Sequence, residues 1–320
     1  MRKLAISFLV LLLLVSGYRA ANPTPQTGWY CDSGNTYYLN SDGIPVTGWQ
    51  SLDGCSYYFR PDQGGAMVSG WLELPKGRYY FDSSGVLQTG WLQLSGQRYY
   101  SDNTGLLQTG WQQISGKRYY FRPDGAMAVG TLKIDGATCH FTSTGEPFLL
   151  VNRSNPLPVG FQPELADIEG FQVSKACVDA LRDMINACRS AGHRCVINSA
   201  YRDTDFQQML WDNRYNSYIS EGYSPEEATE LSAQIVLPPG TSEHHTGLAV
   251  DITGTDPMYS WLEQHGPEYG FILRYPQDKT QWTGVSYEPW HFRYVGRELA
   301  KELQALNLTP EEYLHRLTDA

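Results

Sequence analysis

The chain has 320 residues and carries 34 Asp and Glu against 24 Lys and Arg, a formal net charge of -10. An acidic balance of that size argues against nucleic acid as the main ligand, because phosphate backbones are held by a basic footprint. The length leaves room for more than one domain.

Met1 opens a short basic stretch with Arg2 and Lys3, and Leu4 to Val15 is almost wholly apolar. That run is too short for a membrane-spanning helix and suits a secretory signal, placed at 1–20 with processing after Gly17 or Ala20. A retained N-terminal anchor is the alternative. No cysteine lies near the cut, so a bacterial lipid anchor has no attachment point. No later stretch approaches 18 apolar residues, so the processed chain is expected outside the cytoplasm without a stable membrane span.

A repeat follows. Gly-Trp recurs at Gly28-Trp29, Gly48-Trp49, Gly70-Trp71, Gly90-Trp91 and Gly110-Trp111. Tyr pairs fall between them at Tyr37-Tyr38, Tyr57-Tyr58, Tyr79-Tyr80, Tyr99-Tyr100 and Tyr119-Tyr120. The step is 20 residues, with one of 22, and a degenerate copy has Gly130-Thr131 and Cys139-His140. A period this short predicts stacked supersecondary units rather than one globular core. Each unit reads as a β-hairpin. In the fourth, Ser95-Gly96 turns between two short strands and Asn103-Thr104-Gly105 leads to the next copy. One such hairpin buries too little to fold alone, and stacked aromatics of neighbouring copies supply the missing surface.

The pattern over 26–146 resembles the choline-binding and glucan-binding cell-wall repeats of Gram-positive surface proteins. The resemblance implies a wall-associated β-hairpin solenoid whose aromatics form shallow cages for a cell-wall polymer or glycan. The residues concerned are Trp29, Trp49, Trp71, Trp91, Trp111, Tyr38, Tyr58, Tyr80, Tyr100 and Tyr120. A choline cation would be held there by cation–π attraction, a sugar by stacking. The alternative is that these rings only hold the solenoid together.

Composition shifts near Glu146, and a second domain is expected over 150–320. Val173, Cys177, Leu181, Met184, Ile185 and Cys188 recur at helical steps, predicting a helix over Val173–Ala191 capped by Gly192. Arg194–Asn198 reads as a strand. Phe206–Tyr215 and Pro225–Ala233 read as helices, the latter capped by Ser224 with Pro225 at its first position. Leu248–Ile252, Gly270–Tyr275 and Trp290–Val295 are expected strands, with helices over Met258–His265 and Arg297–Ala305. Helices mixed with short antiparallel strands point to an α+β domain.

Six cysteines occur, at Cys31, Cys55, Cys139, Cys177, Cys188 and Cys195. Secretion permits disulfides. Cys177 and Cys188 on one helix would lie about 16 Å apart, too far to bridge. Cys188 with Cys195, flanking a turn, and Cys31 with Cys55, in adjacent repeats, are the pairs to expect, against free buried thiols.

The chemistry-bearing stretch is Ser242 to Asp251, followed by Glu288-Pro289-Trp290-His291. His244, Asp251 and His291 supply two imidazoles and a carboxylate, enough for a zinc ion with its fourth position left for water, the arrangement of a catalytic site. Gly247 allows a bend between the first two. Glu288 lies three residues before His291, and Pro289 favours a bend that brings its carboxylate near the metal without ligating it. It is placed to act as general base and then acid. Asp278 and Glu263 are read as surface acids.

These motifs resemble the VanY-type zinc D-alanyl-D-alanine carboxypeptidases. Ser242, His244, Gly247, Ala249 and Asp251 meet a Ser-x-His-x-x-Gly-x-Ala-x-Asp pattern, and Glu288 with His291 meets Glu-x-x-His. Tyr201-Arg202 with Gln207, and the run Tyr269 to Pro276, are similar to the family as well. The resemblance implies a hedgehog/D-Ala-D-Ala carboxypeptidase-like α+β zinc peptidase fold. It implies Zn2+ on His244, Asp251 and His291, catalysis by Glu288, and Arg202 stabilising the charge on the attacked carbonyl oxygen. Gln207, Ser242 and Tyr201 become candidates for holding substrate; by the same resemblance Trp290 is expected to pack behind the metal, and His245 to be a bystander, because the aligned histidine is His244. The implied substrate is the terminal D-Ala-D-Ala amide of peptidoglycan stem peptides. Trimming of tetrapeptide stems by L,D-carboxypeptidase action, cleavage between L-Ala and D-Glu, and a noncatalytic wall-binding role are the alternatives. Two departures stand out: Asp203 where relatives often carry serine, which puts the charge near the substrate carboxylate in doubt, and Cys195 in an extracellular strand beside the site.

Overall fold

The computed structural model describes residues 25–318. The signal segment expected at 1–20 lies outside them. No helix among the described residues is long and apolar enough to cross a membrane. Packing divides the described residues into two compact units that meet between Gln108 and Thr109 in the sequence.

The first unit is a run of antiparallel hairpins: β1 (Gly28–Asp32) with β2 (Asn35–Leu39), then β3 (Gly48–Leu52) with β4 (Cys55–Arg60) and the short β5 (Ala66–Met67). β6 (Gly70–Leu74) pairs with β7 (Gly77–Phe81), and β8 (Gly90–Leu94) with β9 (Gln97–Ser101). The Ser95-Gly96 turn has both residues at positive φ, 49° and 81°. That is the two-residue geometry whose twist matches the flanking strands. The second turn is built by Asp102, whose carboxylate accepts from the N–H groups of Thr104 at 2.8 Å and Leu106 at 3.1 Å.

Strand register puts Trp29 opposite Tyr38 and Trp49 opposite Tyr58. Trp29, Trp49 and Trp71 also reach the first tyrosine of the next pair. Trp29 lies 5.1 Å from Tyr57, Trp49 5.1 Å from Tyr79, and Trp71 5.2 Å from Tyr99, all edge-on. Such pairs contribute roughly 0.5–1.5 kcal/mol each beyond the area they bury, and they tie one hairpin to the next. The residues opposite Glu73 and Gln93 are Arg78 and Arg98. Their guanidinium groups lie 4.5 and 4.1 Å from the ring centres of Trp71 and Trp91. In the first two hairpins Thr36 and Ser56 occupy that register position.

The second unit begins with two further hairpins, β10 (Gly110–Ile114) with β11 (Lys117–Phe121), and β12 (Gly130–Ile134) with β13 (Ala137–Phe141) and β14 (Pro147–Phe148). β15 (Leu165–Ile168) and β16 (Phe171–Ser174) form a small ladder before α1 (Val178–Ser190). β17 (Val196–Ser199), α2 (Thr204–Ser220), α3 (Pro225–Ala233) and a short 3-10 turn over Glu243–Thr246 follow. Then come β18 (Ala249–Thr253), α4 (Asp256–Tyr269), β19 (Phe271–Leu273), α5 (Thr280–Thr283), β20 (His291–Tyr294), α6 (Arg297–Leu306) and α7 (Pro310–Thr318).

The central sheet is antiparallel in the order β17-β18-β20-β19. Its inner face carries Ile197, Val250, Ile252, Phe271 and Phe292, packed against Leu181, Met184 and Ile185 of α1 and Met258 and Leu262 of α4. Alternation along β18 and β20 sends Asp251 and His291 to the opposite face. The last hairpin is bonded to α7. Tyr313 accepts from the Ser143 N–H at 2.8 Å and donates to Glu302 at 3.0 Å, and the Thr131 N–H donates to Thr318 at 3.1 Å. A Cβ on Gly130, at φ +70°, would sit 3.0 Å from the Leu317 backbone.

Several expectations are corrected. The helix expected from Val173 starts at Val178, because Val173 is paired with Ala166 in β16. Val173 and Cys177 still share one core with the helix, so a strand and a turn mimic a helical period. α2 runs on to Ser220, five residues past the expected end at Tyr215. Neither expected disulfide forms: all six cysteines are free, with Cys177, Cys188 and Cys195 buried. Burial pushes the Cys177 and Cys195 thiols up to about 12, which keeps them protonated and inert.

Candidate metal and catalytic site

The face of the sheet turned away from the core builds the site. Asp251 in β18 and His291 in β20 are direct register partners, so their side chains stand side by side. His244 comes from the 3-10 turn that precedes β18. Gly247 closes that turn at φ +66°, and a Cβ there would lie 2.7 Å from the Ser174 nitrogen. Only glycine fits both the conformation and the close approach.

Three donor atoms converge, all within 4.8 Å of one another. His244 Nε2 is 3.4 Å and His291 Nδ1 is 3.2 Å from Asp251 Oδ1. Bonds of about 2.0–2.2 Å at tetrahedral angles place ligand atoms about 3.3–3.6 Å apart, close to these two spacings. The protonation pattern agrees. His244 Nδ1 donates to the Ala200 carbonyl at 2.6 Å, which leaves the Nε2 lone pair facing inward. Asp251 Oδ1 is buried without any hydrogen-bond partner, a costly state that a cation would relieve. Burial raises the Asp251 carboxyl, but His244 and His291 outweigh it and hold it well below the usual range.

Arg202 grips the other Asp251 oxygen at 2.6 Å and is itself fixed by Ser199 Oγ at 2.9 Å and by Gln207 Oε1 at 3.4 Å. A register shift between Ile197 and Ser199 brings Ser199 opposite Asp251. Gln207 is buried and donates to the Leu237 carbonyl at 2.7 Å, so both ends of its amide are engaged within the protein. Glu288 sits in the bend expected at Pro289: the His291 N–H donates to the Glu288 carbonyl at 3.2 Å. Its carboxylate is 3.4 Å from His291 Nδ1 and lies outside the three-atom cluster. Burial pushes the Glu288 carboxyl up to about 7.

A cleft of about 220 Å³ opens over these groups, edged by Arg202, Ser242, His244, Asp251, Glu288 and His291. Its walls include Tyr275, from the run Tyr269 to Pro276, and Leu210, Val236, Leu237 and Val285, which the motifs did not mark. The only signal of those four in sequence was apolar character near the helix ends and turns. Tyr201 does not line the cleft, and its backbone N–H donates to the Gln172 carbonyl. Trp290 does not pack behind the cluster. It is 40 % exposed at the cleft, because its neighbours Glu288 and His291 turn inward and leave it outward. His245 is a bystander to the cluster and contacts the Arg202 carbonyl through Nδ1 at 2.8 Å. Asp203 is exposed and caps α2 by accepting from the Phe206 N–H. Glu263 and Asp278 are exposed.

The family model of the VanY D-alanyl-D-alanine carboxypeptidases matches residues 170–297. A D-alanyl-D-alanine carboxypeptidase of Enterococcus faecalis is 41 % identical over 175 residues, covering 52 % of this chain and 65 % of that protein. A bifunctional D-Ala-D-Ala dipeptidase and carboxypeptidase, VanXYC of Enterococcus gallinarum, is 38 % identical over 183 residues, covering 51 % of this chain and 91 % of its own. The chain belongs to the VanY family. A mutant of the vancomycin-resistance D,D-pentapeptidase VanY, crystallised with Zn(II), is similar to this VanY-family region at 40 % identity and a TM-score of 0.50. The match covers 52 % of this chain and 97 % of that one. The chain spans just under two thirds of the length of the Enterococcus faecalis relative. Ahead of the VanY match, choline-binding repeat models match residues 26–73 and 108–147, and a cell-wall-binding repeat model matches 89–107.

Proposed function

We propose that this protein is a zinc-dependent D,D-carboxypeptidase that removes the terminal D-alanine of peptidoglycan stem peptides, secreted and held at the cell wall by its repeats. The observation that carries the reading is the convergence of His244, Asp251 and His291 donor atoms beside a buried carboxylate that stays out of the cluster. Two imidazoles and one carboxylate are a zinc donor set with an open position. The solved VanY relative holds Zn(II), and the curated relatives are named for D-Ala-D-Ala cleavage.

When bound, zinc supplies a Lewis acid that activates water and polarises the scissile carbonyl. Glu288 takes the proton of the attacking water and passes it to the departing amine, a role that suits a carboxyl pushed towards neutrality. Arg202 faces the cleft with a fixed guanidinium and opposes the negative charge that grows on the carbonyl oxygen. Leu210, Val236, Leu237 and Val285 offer an apolar wall suited to alanine methyl groups. Ser242 is the remaining polar candidate for the substrate terminus. Gln207 acts through Arg202, and Tyr201 has no place in the reading because it stands outside the cleft.

The repeats concentrate the enzyme on an immobile substrate, as tethering a second module does. Digestion of purified muropeptides followed by mass analysis tests the specificity. Release of one D-Ala from pentapeptide stems supports it. Action on tetrapeptides alone, or release of L-Ala, replaces it with an L,D-carboxypeptidase or an endopeptidase.

A further inference from the structure

Two of the three donor residues have their second polar atom engaged: His244 Nδ1 by the Ala200 carbonyl, and Asp251 Oδ2 by Arg202. His291 differs. Its Nε2, on the side away from Asp251, lies 3.8 Å from Glu243 Oε2. Both atoms are fully buried and neither has a hydrogen-bond partner. Two unsatisfied polar atoms facing each other across a gap one ångström too long call for a state in which the gap closes.

The geometry says which state. Nδ1 is the nitrogen that faces Asp251, so ligation would use its lone pair and require the ring proton on Nε2. There it points at an anionic acceptor. Glu243 cannot swing away, because Oε1 is held by Arg274 Nε at 2.9 Å and by Arg293 NH1 at 2.8 Å. Both arginines are buried. Arg274 in turn grips both oxygens of Glu311 in α7, and Arg293 NH2 donates to the Leu149 carbonyl at 2.8 Å, in the segment that follows the last hairpin. Arg274 and Arg293 thus set two guanidinium groups against the same carboxylate oxygen and leave Oε2 turned towards His291. Glu243 falls on an unspecified position of the Ser-x-His-x-x-Gly-x-Ala-x-Asp pattern, so the motif gives it no role.

We propose that Glu243 is a positioning residue for His291. Its Oε2 accepts the Nε2–H hydrogen bond that fixes the ring and its tautomer, and the Arg274–Glu311 and Arg293–Leu149 contacts anchor it. This rests on the zinc reading above.

The test uses the full chain, stripped of metal and reloaded with zinc. Glu243→Gln alone leaves two buried arginines against one glutamate and risks unfolding. Glu243→Gln combined with Arg293→Met removes one charge of each sign. In that double variant the dissociation constant for zinc, read by competition with a chelating dye, is expected to rise 10- to 100-fold. The melting of the stripped protein, followed in parallel, separates this from a loss of folding. Zinc affinity within twofold of the wild type overturns the proposal. Nitrogen-15 NMR of the zinc-loaded wild type needs no variant: a slowly exchanging His291 Nε2–H is expected, and a rapidly exchanging one overturns the role. A wild type that takes up no zinc removes the zinc reading itself, and this inference with it.

Discussion

Replacing Glu288 with Gln separates chemistry from stability. The change keeps the shape of the side chain and removes its charge. In the metal-free protein burial pushes this carboxyl from 4.5 up to about 7. An acid with a raised folded pKa binds its proton more tightly in the native state, so ionising it works against folding as pH climbs from the unfolded value through the folded one. A difference of about 2.5 units is worth about 3 kcal/mol, at about 1.4 kcal/mol per unit. Above pH 8 the chelated Glu288→Gln variant should therefore be more stable than the wild type by up to about 3 kcal/mol. Near pH 5 the gain should shrink below about 1 kcal/mol. Calorimetry in the presence of a chelator reads this directly, as a rise of up to roughly 6–12 °C in melting temperature for a domain of about 200 residues. The zinc-loaded variant should still hold metal and lose 10²- to 10⁴-fold in kcat. Hydrolysis within tenfold of the wild type, or a melting gain that does not grow with pH, would refute the assignment of Glu288 as the buried base.

Chelation should abolish D-Ala release and added zinc should restore it; undiminished cleavage after metal removal contradicts the donor cluster. Arg202→Lys loses the Ser199 contact and the planar fork, and a drop of about 10²-fold or more in kcat/KM is expected, measured on pentapeptide muropeptide. Gly247→Ala faces a left-handed backbone and a Cβ 2.7 Å from the Ser174 nitrogen. It should destabilise the domain by at least about 1–2 kcal/mol, visible in urea titration, and a neutral outcome would show that the turn relaxes freely. In the repeats, Arg98 lies over Trp91 where a cationic ligand would compete with it. Arg98→Ser should strengthen tetramethylammonium quenching of tryptophan fluorescence by several-fold, an amount set by about 0.5–1 kcal/mol of released cation–π contact. Equal quenching in both proteins would mean that the guanidinium does not block the ring.

Much of this protein follows from short-range pattern. The hairpins are encoded locally, since Ser95-Gly96 and the Asp102 turn need no distant partner to form. The Ser242 to Asp251 motif likewise carries its own bend at Gly247, and Glu288 and His291 share one tight turn. Other features depend on contacts that no local window contains. Val173 joins a strand because Ala166 pairs with it, although its spacing to Cys177 is helical. Cys188 and Cys195 are free and buried in a packed core. Asp251 meets His291 because β18 and β20 align in one register, and the lock of Arg202 on Asp251 depends on a strand irregularity at Ser199. The Glu243–Arg274–Arg293 cluster exists because charges taken out of water must find one another wherever the fold has buried them. Turns and alternation are properties of neighbouring residues, whereas register and charge pairing are settled only when distant strands and helices share one interior.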